Sequence, residues 1–244
     1  EVAPSGATVD MFMIDGVVMN FFEAWQSGKS VGVPGIVALY ASAHDQHGKL
    51  EWAEVLQPAI RLATEGFEVS PRLADFLPMM AERSQLAKNP LTAAYFYPGG
   101  EALQAGHLLK NPEYAATLTR IANEGISAFY TGEIAETIAT AAQAEPNGGT
   151  LTAADIEAYK PEKRPVICGG FRDLSICTSS PPSSGGAQIM IAGLYDHLSS
   201  GATSQADKIA AFVDAQRLAY ADRDHYFGDP DEIDIPLNDL LHPE

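Results

Sequence analysis

Helix start signals divide this chain before any other feature does. Ser70-Pro71 and Asn111-Pro112 each set an accepting side chain directly ahead of a proline, and Thr152 and Ser204 stand three residues before Asp155 and Asp207. A side-chain oxygen at the N-cap takes up a free backbone N–H, and a proline just inside the helix has none to satisfy. Ser or Thr followed three residues later by an acid is the reciprocal capping arrangement, here with Asp for the usual Glu. Four helices therefore have set beginnings. One runs from Pro71 to about Leu86, with Pro78 expected to kink or interrupt it. A second runs from Pro112 up to Gly125, and a third is short, ending near Tyr159. The last is long, and its expected buried stripe is Ile209, Phe212, Val213, Ala219, Tyr220 and Phe227.

Further helices follow from apolar spacing. A helical pattern begins at Pro34-Gly35 and reaches about His44, before a turn at His47-Gly48. Trp52, Val55, Leu56, Ala59, Ile60 and Ala63 repeat at the spacing of one buried face, with Gly66 as the stop. Pro58 is expected to split that stretch into a short helix and a longer one that it begins. Another helix is expected from about Glu133 to Ala144. Residues 1–34 read as irregular, apart from a short hairpin in which Met11-Ile14 and Val17-Phe22 flank Asp15-Gly16.

The texture changes after Tyr159. Residues 164–169 and 171–178 read as the strands of a hairpin turning at Arg172-Asp173. That turn pairs Phe171 with Leu174 and sets Cys168 opposite Cys177 at a non-hydrogen-bonded pair, where side chains approach most closely. Either a disulfide or two free buried thiols fits; neither turn residue is the preferred glycine. Pro181-Pro182-Ser183-Ser184-Gly185-Gly186 then leads into an apolar helix from Ala187 to about Leu198. There is no internal repeat and no low-complexity linker. The expectation is one α+β domain over 1–244, mostly helical with a β-hairpin.

Charge narrows the partners. With 15 Lys and Arg against 32 Asp and Glu, the formal net charge is -17, a field that repels phosphate backbones and argues against nucleic acid. No apolar run reaches the roughly 18 residues of a membrane span. The chain opens at Glu1-Val2-Ala3-Pro4 without a methionine and stops abruptly after Leu240-Leu241, so a piece of a longer protein is expected.

Three groups of residues invite chemistry, and each has a plainer reading. His44 and His47 around Asp45 resemble part of a metal site, but no further cluster supplies ligands, and a solvated loop is the better reading. Asp222-Arg223-Asp224-His225 gathers titratable groups suited to acid–base work, or simply to ion pairing at a helix end. Ser183 and Ser184 offer hydroxyls before a helix N-terminus, yet no base stands within local reach, so a backbone joint is favoured. The Gly185-Gly186 pair lacks the spacing of a nucleotide-binding loop.

Six collinear segments together resemble the large subunit of the γ-glutamyltransferases, or glutathione hydrolases. They are Val31-Gly32-Val33-Pro34-Gly35; Trp52 with Leu56-Gln57-Pro58-Ala59-Ile60 and Gly66-Phe67; Ala116-Thr117-Leu118 through Ile134-Ala135; Gly148-Gly149-Thr150-Leu151-Thr152 through Tyr159; the hairpin with Pro181 to Gly186; and Leu218-Ala219-Tyr220-Ala221-Asp222-Arg223 with Gly228-Asp229-Pro230. They span nearly the whole chain. The resemblance implies an αββα N-terminal-nucleophile hydrolase fold and a precursor that cleaves itself. The small subunit's new N-terminal threonine would then attack a γ-glutamyl amide, with its own α-amino group as base and backbone amides holding the oxyanion.

Where this chain departs from the family matters as much. No processing site follows Asp231 before the chain stops, and the arginine expected to grip the substrate α-carboxylate would stand one residue upstream of Glu1. Ser180 replaces a frequent third proline. No catalytic, cofactor-binding or metal-binding residue is therefore carried over to this chain. Glu1 marks the substrate rim by adjacency alone; the two serines could support the site from behind, but packing of the hairpin against the small subunit explains them more simply. The expected partners are the missing small subunit or C-terminal half, γ-glutamyl small molecules such as glutathione, and further copies meeting through uncovered strand edges. The resemblance places the parent in the periplasm or outside the cell. A cephalosporin-acylase-like amidohydrolase of the same family and a non-catalytic interaction module are the alternatives.

Overall fold

Side-chain capping sets the start of α-helices at Asn20, Ser70, Asn89, Asn111, Thr152 and Ser204. The structure, a computed structural model, describes residues 2–241; Glu1, expected from the sequence to mark the substrate rim, lies outside the described residues. The chain folds as two compact units, Glu1–Pro161 and Glu162–Glu244.

The first unit is built on helices. Two short pairs of strands accompany them: β1 (Met13–Ile14) with β2 (Val17–Val18), then β3 (Phe67–Glu68) with β4 (Leu108–Leu109), both antiparallel. The helices are α1 (Phe21–Trp25), α2 (Ile36–His47), α3 (Trp52–Glu65), α4 (Pro71–Arg83), α5 (Pro90–Phe96), α6 (Pro112–Glu124), α7 (Ser127–Tyr130), α8 (Glu133–Ala142) and α9 (Ala153–Ala158). Ser70, Asn111 and Thr152 cap α4, α6 and α9 as expected, and the Thr152–Asp155 box is reciprocal. The hairpin around Asp15-Gly16 forms, but it is shorter than expected: Asn20 caps a helix at Phe21, removing Phe21 and Phe22 from the strand.

Neither interior proline breaks its helix. Pro58 lies within a continuous α3 and Pro78 within a continuous α4, which ends at Arg83, three residues short of the expected Leu86. An interior proline costs about 3 kcal/mol, so the helix survives only where packing outweighs that. Both prolines are exposed, on the outer faces of their helices. The opposite face of α3 packs along α6, where the Trp52 indole N–H donates to the Ile121 carbonyl at 3.0 Å.

Two apolar clusters fill this unit. Leu151 and Ile156, both fully buried, sit with Val33, Ala38 and Ala135 around Tyr130. The Tyr130 hydroxyl donates to the Pro34 carbonyl at 2.8 Å and accepts the Ala38 N–H at 3.0 Å, which satisfies a buried phenol and fixes the start of α2. Burial pushes that phenol's pKa up. In the other cluster, Tyr97 donates to the Leu77 carbonyl at 2.7 Å among Val69, Leu103 and Leu109.

The second unit begins with a hairpin, β5 (Ile167–Phe171) and β6 (Leu174–Thr178), and continues through α10 (Gly185–Leu198), α11 (Gln205–Tyr226) and α12 (Leu237–Leu241). The register is the expected one, Phe171 opposite Leu174 and Cys168 opposite Cys177, though β5 starts at Ile167 rather than Arg164. Cys168 and Cys177 form a disulfide across Cα atoms 4.1 Å apart, which decides between the two readings of the thiols. Arg172 takes a φ of 56° in place of the missing turn glycine. Its guanidinium lies 4.9 Å above the Phe171 ring and meets Asp196 at 3.2 Å.

The buried face of α11 is not the stripe expected of it. Ala211, Ala215 and Ala219 are buried, the last two completely, whereas Ile209 is 56% exposed and Phe212, Val213 and Tyr220 are about 45% exposed. Small side chains at i, i+4 and i+8 form one smooth row along which α10 can approach closely. Ranking residues by apolar size selects the wrong row. Only Ala219 belongs to both.

Candidate functional site

The turn between β6 and α10 is tied down from α11. Ser184 is the N-cap of α10 but makes no side-chain cap bond; its hydroxyl instead accepts a hydrogen bond from Arg223 Nε at 3.2 Å. Arg223 also pairs with Asp224 at 3.0 Å and lies over the Tyr220 ring. A guanidinium cannot take a proton, so this partner orients the Ser184 hydroxyl without activating it as a nucleophile. Gly185 and Gly186 form the first turn of α10, two residues earlier than the expected start at Ala187, and both are buried. A Cβ on Gly185 would clash with the Ser179 carbonyl oxygen, which is why the turn needs a glycine there.

Arg164 makes a second tie. It reaches both oxygens of Asp231, one at 3.1 Å, and lies 3.6 Å from Asp229, fastening the segment after α11 to the approach of β5. Hydrogen bonding to Arg164 holds the Asp231 carboxyl below the usual carboxylate range. His225 takes no part: it is exposed in the last turn of α11, edge-on to Tyr226. Residues 222–225 thus lie at the end of α11, with Arg223 paired to Asp224.

In the first unit, His44 and His47 occupy the last turn of α2 and not a loop. His44 Nε2 lies 2.8 Å from the Leu50 carbonyl, and its ring meets Trp52 edge to face. Among the described residues no group of three or more His, Cys, Asp or Glu is arranged to hold a metal ion.

Asp155 does more than cap α9. Its carboxylate accepts the Ser5 N–H at 3.1 Å, the Thr152 N–H at 2.8 Å and the Thr152 hydroxyl at 2.7 Å. The Ser5 side chain is the largest influence, ahead of the Thr152 donors, in lowering its pKa from 3.8 to about 2. Together with the Val33 N–H donating to the Val2 carbonyl at 3.0 Å, this pins the segment that follows Glu1.

These long-range ties were not legible locally: Asp155 and Ser5 are 150 residues apart, Arg164 and Asp231 67, Arg223 and Ser184 39. The Gamma-glutamyltranspeptidase family model matches residues 1–244. The chain belongs to this family.

Relatives fit that assignment. The Escherichia coli (strain K12) glutathione hydrolase proenzyme is 38% identical over 246 residues, covering 99% of this chain and 42% of that protein. The acylase ACY 1 proenzyme of Pseudomonas sp. (strain V22) is 36% identical over 250 residues, covering 99% and 44%. Among solved structures, Helicobacter pylori gamma-glutamyltranspeptidase superposes with a TM-score of 0.88 at 33% identity, over 99% of this chain and 69% of that one. The fold is accordingly the mostly helical, hairpin-bearing part of the γ-glutamyltranspeptidase N-terminal-nucleophile fold. The chain spans about two-fifths of the length of the curated relatives, 42% and 44%. The longest described helix, α11, is too polar to cross a membrane, and no other described helix is long and apolar enough.

Proposed function

We propose that this chain is the scaffold portion, one incomplete large-subunit domain, of an enzyme that cleaves γ-glutamyl amides such as glutathione. The observation that carries this reading is the family match over the full chain, with relatives named glutathione hydrolase proenzymes. In this reading the nucleophile is an N-terminal threonine generated by self-cleavage in polypeptide outside residues 1–244. Two features of the chain support the division of labour. Ser184, the hydroxyl nearest to a nucleophile's setting, is held by a guanidinium and not by a base. Large side chains at Ile209, Phe212 and Val213 stand exposed on one face of α11, a surface for the missing small subunit to cover or, without it, for further copies to share. The Cys168–Cys177 disulfide supports a periplasmic or extracellular parent.

The test is the intact parent, with all the polypeptide its gene encodes, assayed with γ-glutamyl-p-nitroanilide. Turnover is expected from the parent and none from residues 1–244 alone; turnover by the isolated chain overturns the scaffold reading. The ACY 1 relative favours a second reading, an acylase, and the likeness to the solved cephalosporin acylase of Bacillus halodurans, 26% identical with a TM-score of 0.75, points to cephalosporin side-chain amides. Hydrolysis of those amides with no γ-glutamyl cleavage decides for it.

A further inference from the structure

The hairpin's outward face carries a reactive bond that the γ-glutamyl reading leaves unused. Strand alternation puts Ile167, Gly169, Phe171, Ile176 and Thr178 on one face and Cys168, Gly170, Ser175 and Cys177 on the other. The first face lies on α10, where Gly169 meets Ile189 so closely that a Cβ would clash with its Cγ2. All four residues of the second face are exposed. The disulfide is therefore within reach of solutes, and exposed disulfides are the ones that exchange with thiols.

The two sulfurs differ. Ser175 Oγ stands 3.8 Å from Cys177 Sγ, and because a disulfide sulfur carries no proton, the hydroxyl is the donor. A donor at Cys177 stabilises the thiolate that forms there as the bond breaks, making Cys177 the better leaving group. Among the described residues no hydroxyl stands so at Cys168.

We propose that the β5–β6 hairpin is a thiolation site for small thiols, with Cys168 as the sulfur attacked and Cys177 as the sulfur released. An incoming thiolate forms a new S–S bond to Cys168 Sγ while the Cys168–Cys177 bond breaks, and Cys177 leaves as a thiolate that takes a proton from water. One disulfide replaces another, with no net oxidation. Return attack by Cys177 on Cys168 expels the small thiol and restores the cross-link. A second external thiolate on the mixed disulfide instead releases the oxidised small thiol and leaves both cysteines reduced. The hairpin then keeps its five-pair ladder and its packing on α10, and a two-stranded ladder is marginal in water.

The proposal does not depend on the γ-glutamyl reading, so its test uses 2-mercaptoethanol, a thiol with no γ-glutamyl bond. The intact protein is incubated with millimolar thiol, quenched with acid and alkylated, and its peptides are weighed. The expected products carry the small thiol on Cys168 and the alkyl group on Cys177. Ser175→Ala is expected to slow the opening roughly threefold to tenfold at unchanged thermal midpoint. A disulfide that stays closed overturns the proposal. So does thiolation shared equally between the two cysteines, or a Ser175→Ala protein that folds and opens at the wild-type rate.

Discussion

Arg223 Nε, near the end of α11, donates to the Ser184 hydroxyl at the head of α10 at 3.2 Å, fixing a turn that local sequence leaves free. The arginine side chain is only 30% exposed, so its loss leaves a partly buried hydroxyl without that partner. A charge-assisted bond of this kind contributes roughly 1.5–3 kcal/mol when buried, and less here. Arg223→Ala should therefore lower stability by about 1–2 kcal/mol, read from the urea midpoint. Arg223→Lys should recover only part of that loss, since an ammonium does not reproduce the guanidinium's planar N–H geometry. In the intact parent, Ser184→Ala should retain most of the γ-glutamyl turnover; its abolition at normal folding would make Ser184 a participant in the chemistry.

Asp155 gives a pH dependence with a defined sign. Its folded pKa is depressed from 3.8 to about 2, chiefly by the Ser5 side chain, so its stabilising effect is complete above the ordinary value and fades as pH falls through the folded one. Asp155→Asn should be less stable than the wild type at neutral pH. The gap should narrow as pH falls from about 3.8 towards 2. Thermal midpoints of both proteins across that range are the measurement, and a constant gap would show that the lost charge is not what matters.

The contact between Gly169 and Ile189 predicts a coupled pair. Gly169→Ala forces a methyl against Ile189 Cγ2 and should cost about 1–3 kcal/mol. Ile189→Ala removes that atom at a cost of its own, but the double variant should be less unstable than the sum of the two single changes. A double-mutant cycle with no coupling energy would place the strain elsewhere.

On α11 the two rows of side chains should respond oppositely to substitution. Ala215→Leu, at a position with no exposure, should cost about 1–3 kcal/mol or more by driving α10 and α11 apart. Val213→Gln, at 45% exposure, should change the stability of this chain by less than about 1 kcal/mol. If the exposed row is the surface that the rest of the parent covers, the same Val213→Gln change should weaken assembly in the intact protein. Denaturation of the chain and the yield of assembled parent separate the two effects.

Capping and turn geometry were readable from the residues because each depends on atoms a few positions apart. Ser70, Asn111, Thr152 and Ser204 start helices where the sequence says they must, and the Arg172-Asp173 turn sets the pairing that brings Cys168 to Cys177. Asn89 caps α5 by the same chemistry, through bonds from the Leu91 and Thr92 N–H groups, and the Asn89-Pro90 signal was there to be read. What only the tertiary structure decided is where competing forces meet. Pro58 and Pro78 remain inside helices because packing outweighs a lost hydrogen bond, and α11 turns its alanines inward because α10 needs a close approach more than a large contact. The ties from Arg223 to Ser184, Arg164 to Asp231 and Asp155 to Ser5 join residues whose only relation is spatial. No local pattern encodes them, since each partner alone reads as an ordinary surface charge or hydroxyl until folding brings the other within hydrogen-bonding distance.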